Sequence, residues 1–460
     1  MAGCNLYFHE SGFAMRTYYS SHQVIQGKIL KKMGNRSVKV DFDGGDISSD
    51  GGLFLLSEAD KQMGLLPRVA EILDSHDIRF EPMVRHSNLR MLRQRVHGIA
   101  AGYEDLNDHN ELRHDINHQM AADSEEALAS SPTLCRMENS RGGNRKACLR
   151  ISEVMVENFI SSYSSAPEEL ILDFDATDDP VHGEQIGRFF HGHYDNYCFL
   201  PLYVFCGDQL VVSYLRPSSR AASTHAWTVL MMLVKRFRGH WPEVRIILRG
   251  DADFSGWKML GWCDDHEVGY AVGFSGNKRL TRLSSRTIRK AEKAYNRSRS
   301  KAKIYNELYY AADTWDRKRR VIVKAEHNSQ GPNTRYVLTN LAGAPKEIYE
   351  QTYCARGNME NRIKEQQLYL FAGRTSCHAW WANQFRLLLS SLAYILVEYV
   401  RRTALKGTRF GHAQAVTIRE KLIKIGAVIV RNTRSIYLHL SSTYPYKAVF
   451  SRIVESLVPG

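Results

Sequence analysis

Tyr353, Arg356, Glu360 and Lys364 recur three or four residues apart, a spacing that sets side chains on one face of a helix. Here one carboxylate stands among phosphate-binding groups, Arg as a bidentate fork and Lys as a point charge. Such a face is suited to holding a metal ion against a nucleic-acid backbone. Two other segments supply further acids. LILDFDAT carries Asp173 and Asp175, and IILRGDADF carries Asp251 and Asp253. Both read as buried strands that end in carboxylates. Cleaving a phosphodiester needs a nucleophilic oxygen and a stabilised leaving oxygen, and two divalent ions about 4 Å apart serve both needs. Mg2+ asks for only a few protein carboxylates, so two strand-end Asp and one helical Glu meet the requirement. Spacing alone does not make them converge, because an Asp at a strand end is ordinarily a turn or cap residue.

The elements that must position these acids follow from the pattern around them. With 460 residues the chain is too long for one ordinary core. Residues 1–165 read as mainly helical after a strand-like stretch at 38–42. Asp50 is placed as the N-cap of a helix that follows a Gly-rich loop. Met91, Leu92, Val96 and Ile99 fall at helical spacing among Arg85, Arg90, Arg93 and Arg95. This is an amphipathic basic helix able to lie along DNA or, equally, to show solvent a charged face. From 166 to 275 the order is three strands, helix, strand, helix, strand. The second and third strands form a hairpin about Gly207, Asp208 and Gln209. This order predicts an α/β sheet with ligand groups gathered at its strand ends. Residues 276–345 break the rhythm as a basic, β-rich insertion with a hairpin. Its interleaved Tyr295, Tyr305, Tyr309, Tyr310 and Trp315 suit base stacking, though packing of the insertion's own small core is the plainer reading. Residues 346–405 return with the Glu360 helix and an apolar helix, and 406–460 add a helix and a hairpin.

Composition narrows the function classes. A formal net charge of +13 fits a polyanionic partner, most commonly nucleic acid, although a basic enzyme without one has the same balance. The eight cysteines include no C-x-x-C pair, which predicts reduced, mostly buried thiols and no structural zinc. His182, His191 and His193 lack a Cys at ligand spacing and read as polar loop positions. Ser255 and His225 have no triad context. No signal pattern opens the chain, and Met15 offers an alternative start. The most apolar run, 387–397, is too short to span a bilayer. A cytosolic protein with no membrane partner is expected.

The motifs resemble a known family. Y-x-x-R-x-x-x-E from Tyr353 to Glu360, continuing as N-R-I-K-E, is similar to the signature around the catalytic Glu of DDE transposases of bacterial insertion sequences. DFDATDDPVHGEQ resembles the first-Asp motif, an acid followed two residues later by Thr or Ser, which points to Asp175 with Thr177. RGDADFSG resembles the second and points to Asp251. GGLFLLSE and HGEQ resemble insertion-sequence family 1380 most closely, and the likeness runs from about residue 42 onward. It implies an RNase H-like core interrupted by the insertion, with an N-terminal region that binds the element's ends. It also implies a bacterial, nucleoid-associated protein. The implied activity is cleavage at terminal inverted repeats with a metal-activated water, then joining of the 3′-OH ends to target DNA. Asp175, Asp251 and Glu360 would hold two Mg2+ ions, with Mn2+ able to substitute. Tyr353, Arg356 and Lys364 would position phosphates, and pairing two ends implies a homodimer on DNA. The departure is Gln367, where the extended pattern has Lys, so that Lys364 is expected to take the phosphate role. Asp173 is read as facing the opposite side of its strand from Asp175, and so as structural. Asp178 and Asp179 are the rival metal ligands, and Asp253 is read as a helix cap. A nuclease that cuts without joining, or a non-catalytic DNA-binding derivative, are the alternatives.

Overall fold

The computed structural model describes residues 31–38, 42–221 and 223–458. Cys4, Met15 and part of the 38–42 stretch lie outside these residues. Eight strands form the central sheet: β1 Glu169–Ala176, β2 Leu202–Cys206, β3 Gln209–Tyr214, β4 Arg245–Gly250, β5 Gly269–Phe274, β6 Ala302–Tyr310, β7 Arg319–Asn328 and β8 Gly331–Thr339. Their order is β6-β7-β8-β5-β4-β1-β2-β3. β1, β4 and β5 run parallel, and every other neighbour is antiparallel. Gly207, at φ 59°, turns β2 into β3, the left-handed conformation that a tight hairpin requires of its glycine.

Each strand of the sheet's middle sends alternate residues to opposite faces. Leu170, Leu172 and Phe174 of β1 join Ile246 and Leu248 of β4 in one core. Three helices cover that face: α5 (Ala226–His240), α6 (Trp257–Asp265) and α7 (Lys278–Ser298). On the other face α9 (Trp380–Thr403) packs on β3, where Ser213 and Ser391 hydroxyls meet at 2.6 Å. Beside it, Ile348 and Tyr349 cover Ala271, Ile322 and Val337. The strands of 276–345 belong to this same sheet, because β8 pairs directly with β5. Tyr310 and Trp315 pack on Phe274, and Tyr305 on Tyr349, which is the packing role rather than the stacking one.

The N-terminal helices α1 (Phe54–Met63), α2 (Leu65–Asp74), α3 (Asn88–Ala101) and α4 (Arg145–Ser161) share one core with α9. Here the structure corrects both readings of α3. The helix is buried nearly all round, and Arg93 and Arg95 face neither DNA nor solvent, while Arg90 is half exposed and Arg85 ahead of the helix is exposed. Arg93 pairs with Asp60 at 3.2 Å and Arg95 with Glu138 at 2.8 Å. Buried charges of this kind persist only when paired, and the acids come from other helices. The C-terminal segment closes on the same region. Strand Ala427–Arg431 pairs with Asp46–Ser48, and α10 (Lys447–Leu457) sets Phe450 against Phe54. Asp50 is not the cap of α1, which has no side-chain cap. It is buried and accepts hydrogen bonds from Tyr103 and His118, each at 2.8 Å. Among the described residues the cysteines are free, and no helix is long and apolar enough to cross a membrane.

Candidate active site

The sheet register brings the two strand acids together. β4 pairs with β1 in parallel, Arg249 beside Asp173 and Gly250 beside Phe174. One step further, the same register sets Asp251 beside Asp175, where both strands end. Residues two apart share a face, so Asp173 and Asp175 point to the same side. The expectation that they face opposite sides was an error of periodicity. Asp173 is structural for another reason: its carboxylate is gripped by the buried Arg249 guanidinium, with Nη2 donating to Oδ2 at 2.6 Å. Arg249 Nη1 also donates to the Thr352 carbonyl at 2.7 Å, tying the sheet to the helical run that carries Glu360.

That run is less regular than its sequence spacing implied. It passes through a wide turn at Ile348–Tyr353 and a tight one at Cys354–Arg356. Only then does it enter α8 (Gly357–Lys364). Met359 and Ile363 anchor α8 in the core, and Glu360 stands half exposed on the other side. Arg356 is the hub. Its Nη2 donates to Glu360 Oε1 at 2.8 Å, and its Nη1 lies 3.8 Å from Asp175 Oδ1. Nη1 is buried and has no hydrogen-bond acceptor. Arg356 is therefore committed to the acids in this structure, not free for a phosphate. Lys364 is exposed and has no side-chain partner among the described residues. Gln367 donates to the Asp178 carbonyl at 2.8 Å and so fastens the chain just after β1.

The electrostatics record the crowding. Burial pushes the Asp175 carboxyl up to about 6, with Arg356 pulling it down and Asp251 and Glu360 pushing it further up. Asp251 is raised by burial and by Asp253. Arg356 loses by burial but is raised overall by Asp175, Asp251 and Glu360. Asp251 Oδ1 accepts from the Asp253 backbone N–H at 2.9 Å. Asp251 is thus the cap of the short turn, and Asp253 caps nothing. Asp179 lies apart, buried, with Oδ2 accepting from Thr375 at 2.8 Å and Oδ1 unpartnered. Tyr194 was not foreseen. Burial and the charges of Asp178, Asp175, Asp253 and Asp251 push its hydroxyl up to about 12. It sits between the short paired strands Phe189–His191 and Asn196–Phe199, and nothing local in the sequence marks it. Tyr353 reaches the same edge, where its hydroxyl lies against Gly273.

Asp175 and Asp251 at the strand ends, and Glu360 linked to Asp175 through Arg356, are hard oxygen donors of the kind that suit Mg2+ or Mn2+. The donor chemistry therefore fits a divalent ion, and Arg356 supplies the positive charge in this structure. Among the described residues no three His, Cys, Asp or Glu side chains stand in a metal-holding group, so Asp175, Asp251 and Glu360 are not drawn together around one position here. Ser255 donates only to the Ala252 carbonyl, at 2.6 Å, and His225 packs on Tyr214, so neither builds a triad. The family described as Transposase DDE domain group 1 matches residues 30–459. The chain belongs to this DDE transposase family. Transposases of this kind move mobile DNA, and their DDE domains generally use divalent metal ions. Among solved structures, the chain is similar to the cryo-EM structure of the piggyBac transposase synaptic complex with hairpin DNA. Identity there is 11%, coverage is 90% of this chain and 87% of that one, and the TM-score is 0.42. No curated protein matches.

Proposed function

We propose that the chain binds the terminal inverted repeats of an insertion sequence of family 1380, cleaves DNA there and joins the 3′-OH ends to target DNA. The observation that carries the reading is the parallel register of β1 and β4, which sets Asp175 beside Asp251 within reach of the Arg356–Glu360 pair. The order β3-β2-β1-β4-β5, three antiparallel strands followed by two parallel ones, supports an RNase H-like core.

Asp175, Asp251 and Glu360 would hold the metal, two Mg2+ ions or Mn2+ in their place. When bound, it supplies an activated water and a counter-charge for the leaving oxygen. The protein's own part is placement. Arg249 and Asp173 lock the two strands in register, so that both catalytic Asp stand at one edge. Arg356 neutralises the acids until DNA and metal arrive, and is then released to position a phosphate. Lys364, exposed one helical turn beyond Glu360, meets a neighbouring phosphate in the role vacated at Gln367. Tyr353 closes the edge against β5. Pairing two ends requires a homodimer on DNA.

The test is Asp175→Asn and Asp251→Asn on a duplex bearing the element's end. Mg2+-dependent cleavage should fall by at least about a thousandfold while end binding stays within a few-fold. Cleavage that survives in either variant overturns the site.

A further inference from the structure

The outward face of α7 has no role in the site just described. Lys278, Arg282, Arg286, Arg289, Lys293 and Arg297 follow one another at steps of three or four residues. At 3.6 residues per turn they fall within an arc of about 100°. The buried stripe of α7, Leu280, Ser284, Thr287 and Ala291, lies nearly opposite. The only acid in the helix, Glu292, is outside the basic arc. All six cations are exposed, and none has a side-chain hydrogen bond or ion pair among the described residues. The plain alternative is a solvated face. Solvated helices usually gain from opposite charges four apart, whereas like charges at that spacing destabilise the helix. No acid stands four residues from any of the six, although Glu292 lies three beyond Arg289 and Arg279, on the rim of the arc, pairs with Asp313 at 3.3 Å.

Its position gives it a direction. β5 ends at Phe274, on the edge where Asp175 and Asp251 stand, and pairs there with Tyr336 of β8. β8 continues past that point from Arg335 to Gly331, still paired with β7, an overhang of about 16 Å. α7 begins beside the inner end of β6, where Asn277 donates to the Tyr310 hydroxyl at 3.1 Å, and by register Tyr310 stands inside the edge, which is level with Asn306. It ends near the far tip, where Tyr295 meets His327. The stripe is about 30 Å long, close to one turn of B-form DNA at about 34 Å, and its C-terminal half lies along the overhang, outward of the catalytic edge.

We infer that this face of α7 binds the phosphate backbone of double-stranded DNA without regard to sequence, as a second contact beyond the cleavage site. The inference rests on the DNA-cleaving reading above. Long flexible cations on an outer helical face reach phosphates rather than base edges, and each phosphate neutralised releases counter-ions.

The experiment measures binding of the full chain to a random-sequence duplex across a salt series, without divalent metal. In the variant Arg282→Gln/Arg286→Gln/Arg289→Gln/Lys293→Gln, the slope of log K against log salt should shrink by about 3 to 4, and low-salt affinity should fall at least about tenfold. Arg282→Lys/Arg286→Lys/Arg289→Lys, which keeps the charge, should bind like the wild type. Should the fourfold variant misfold, Arg286→Glu alone should lower the slope by about 1. An unchanged slope in a folded variant overturns the inference. So does a variant that keeps duplex binding but loses binding to anionic phosphatidylserine vesicles, which would make the stripe a membrane face. Loss of slope in a chain that cleaves nothing supports the stripe and fails the catalytic reading alone.

Discussion

Asp173, Asp175 and Asp179 lie within seven residues and do three different things, because each meets a different partner. Asp173 is spent on Arg249, Asp175 stands among acids around Arg356, and Asp179 is sealed against Thr375. That Asp175 ends a buried strand was legible from the apolar pattern before it. The neighbours of the three acids were not, since Arg249, Arg356 and Thr375 arrive from other elements. Asp179 yields a pH prediction. Burial pushes its carboxyl up from 3.8 to about 7, with Asp178 adding to the rise and Thr375 opposing it. A raised folded value favours the protonated form. The stability it contributes is therefore complete below about pH 4 and is lost as pH rises through about 7. Asp179→Asn should match or trail the wild type at pH 4, then gain on it by up to about 4 kcal/mol by pH 8. Urea unfolding of both proteins across that range measures the difference. A difference that does not change with pH would show that Asp179 does not titrate there.

At the scale of elements, buried strands and the apolar helix were legible because continuous apolar runs and period-two patterns are local. What escaped were matters of pairing. The arginines of α3 looked like a surface stripe because their partners, Asp60 and Glu138, are far away in sequence. The β8–β5 pairing, which makes 276–345 continuous with the sheet, also depends on contacts no window contains. β5 bears on the site through Gly273. A Cβ there would lie 2.8 Å from the Tyr353 hydroxyl, 2.9 Å from Ala252 N and 3.1 Å from the Asp251 carbonyl carbon. Two of those atoms are backbone and cannot swing aside. Gly273→Ala should therefore push the Asp251 turn away from β5, costing about 1–3 kcal/mol as overpacking. Cleavage should fall much more than that loss explains, by about tenfold or more, because small misplacements of reacting groups are expensive. Full activity in a folded Gly273→Ala chain would mean that the Asp251 turn has room to move.

Across the whole molecule, the N-terminal helices and the C-terminal segment form one body with α9 rather than a separable head and tail. The clamp that joins them is polar. Asp50, buried ahead of α1, receives Lys424 Nζ on Oδ1 at 2.8 Å as well as Tyr103 and His118 on Oδ2. Lys424 also lies 4.0 Å over the Tyr103 ring. Burial alone would raise the Asp50 carboxyl, but the hydrogen bonds and charges of His118 and Lys424 more than offset it and hold it down at about 2. A depressed folded value means that the stabilisation is present above the unfolded value of 3.8 and is lost as pH falls towards 2. Lys424→Met keeps much of the stem's packing on Tyr103 and leaves Asp50 short of a cation. At neutral pH it should cost about 2–4 kcal/mol, since removing one member of a buried pair strands the other. Because both ends share a core, the loss should appear as one shifted unfolding transition with an unchanged slope against denaturant. The penalty should shrink as pH approaches 2, where Asp50 becomes neutral in both proteins. A penalty that persists there would assign the effect to packing around Tyr103 instead of charge, and a second transition would show that the two ends of the chain fold apart.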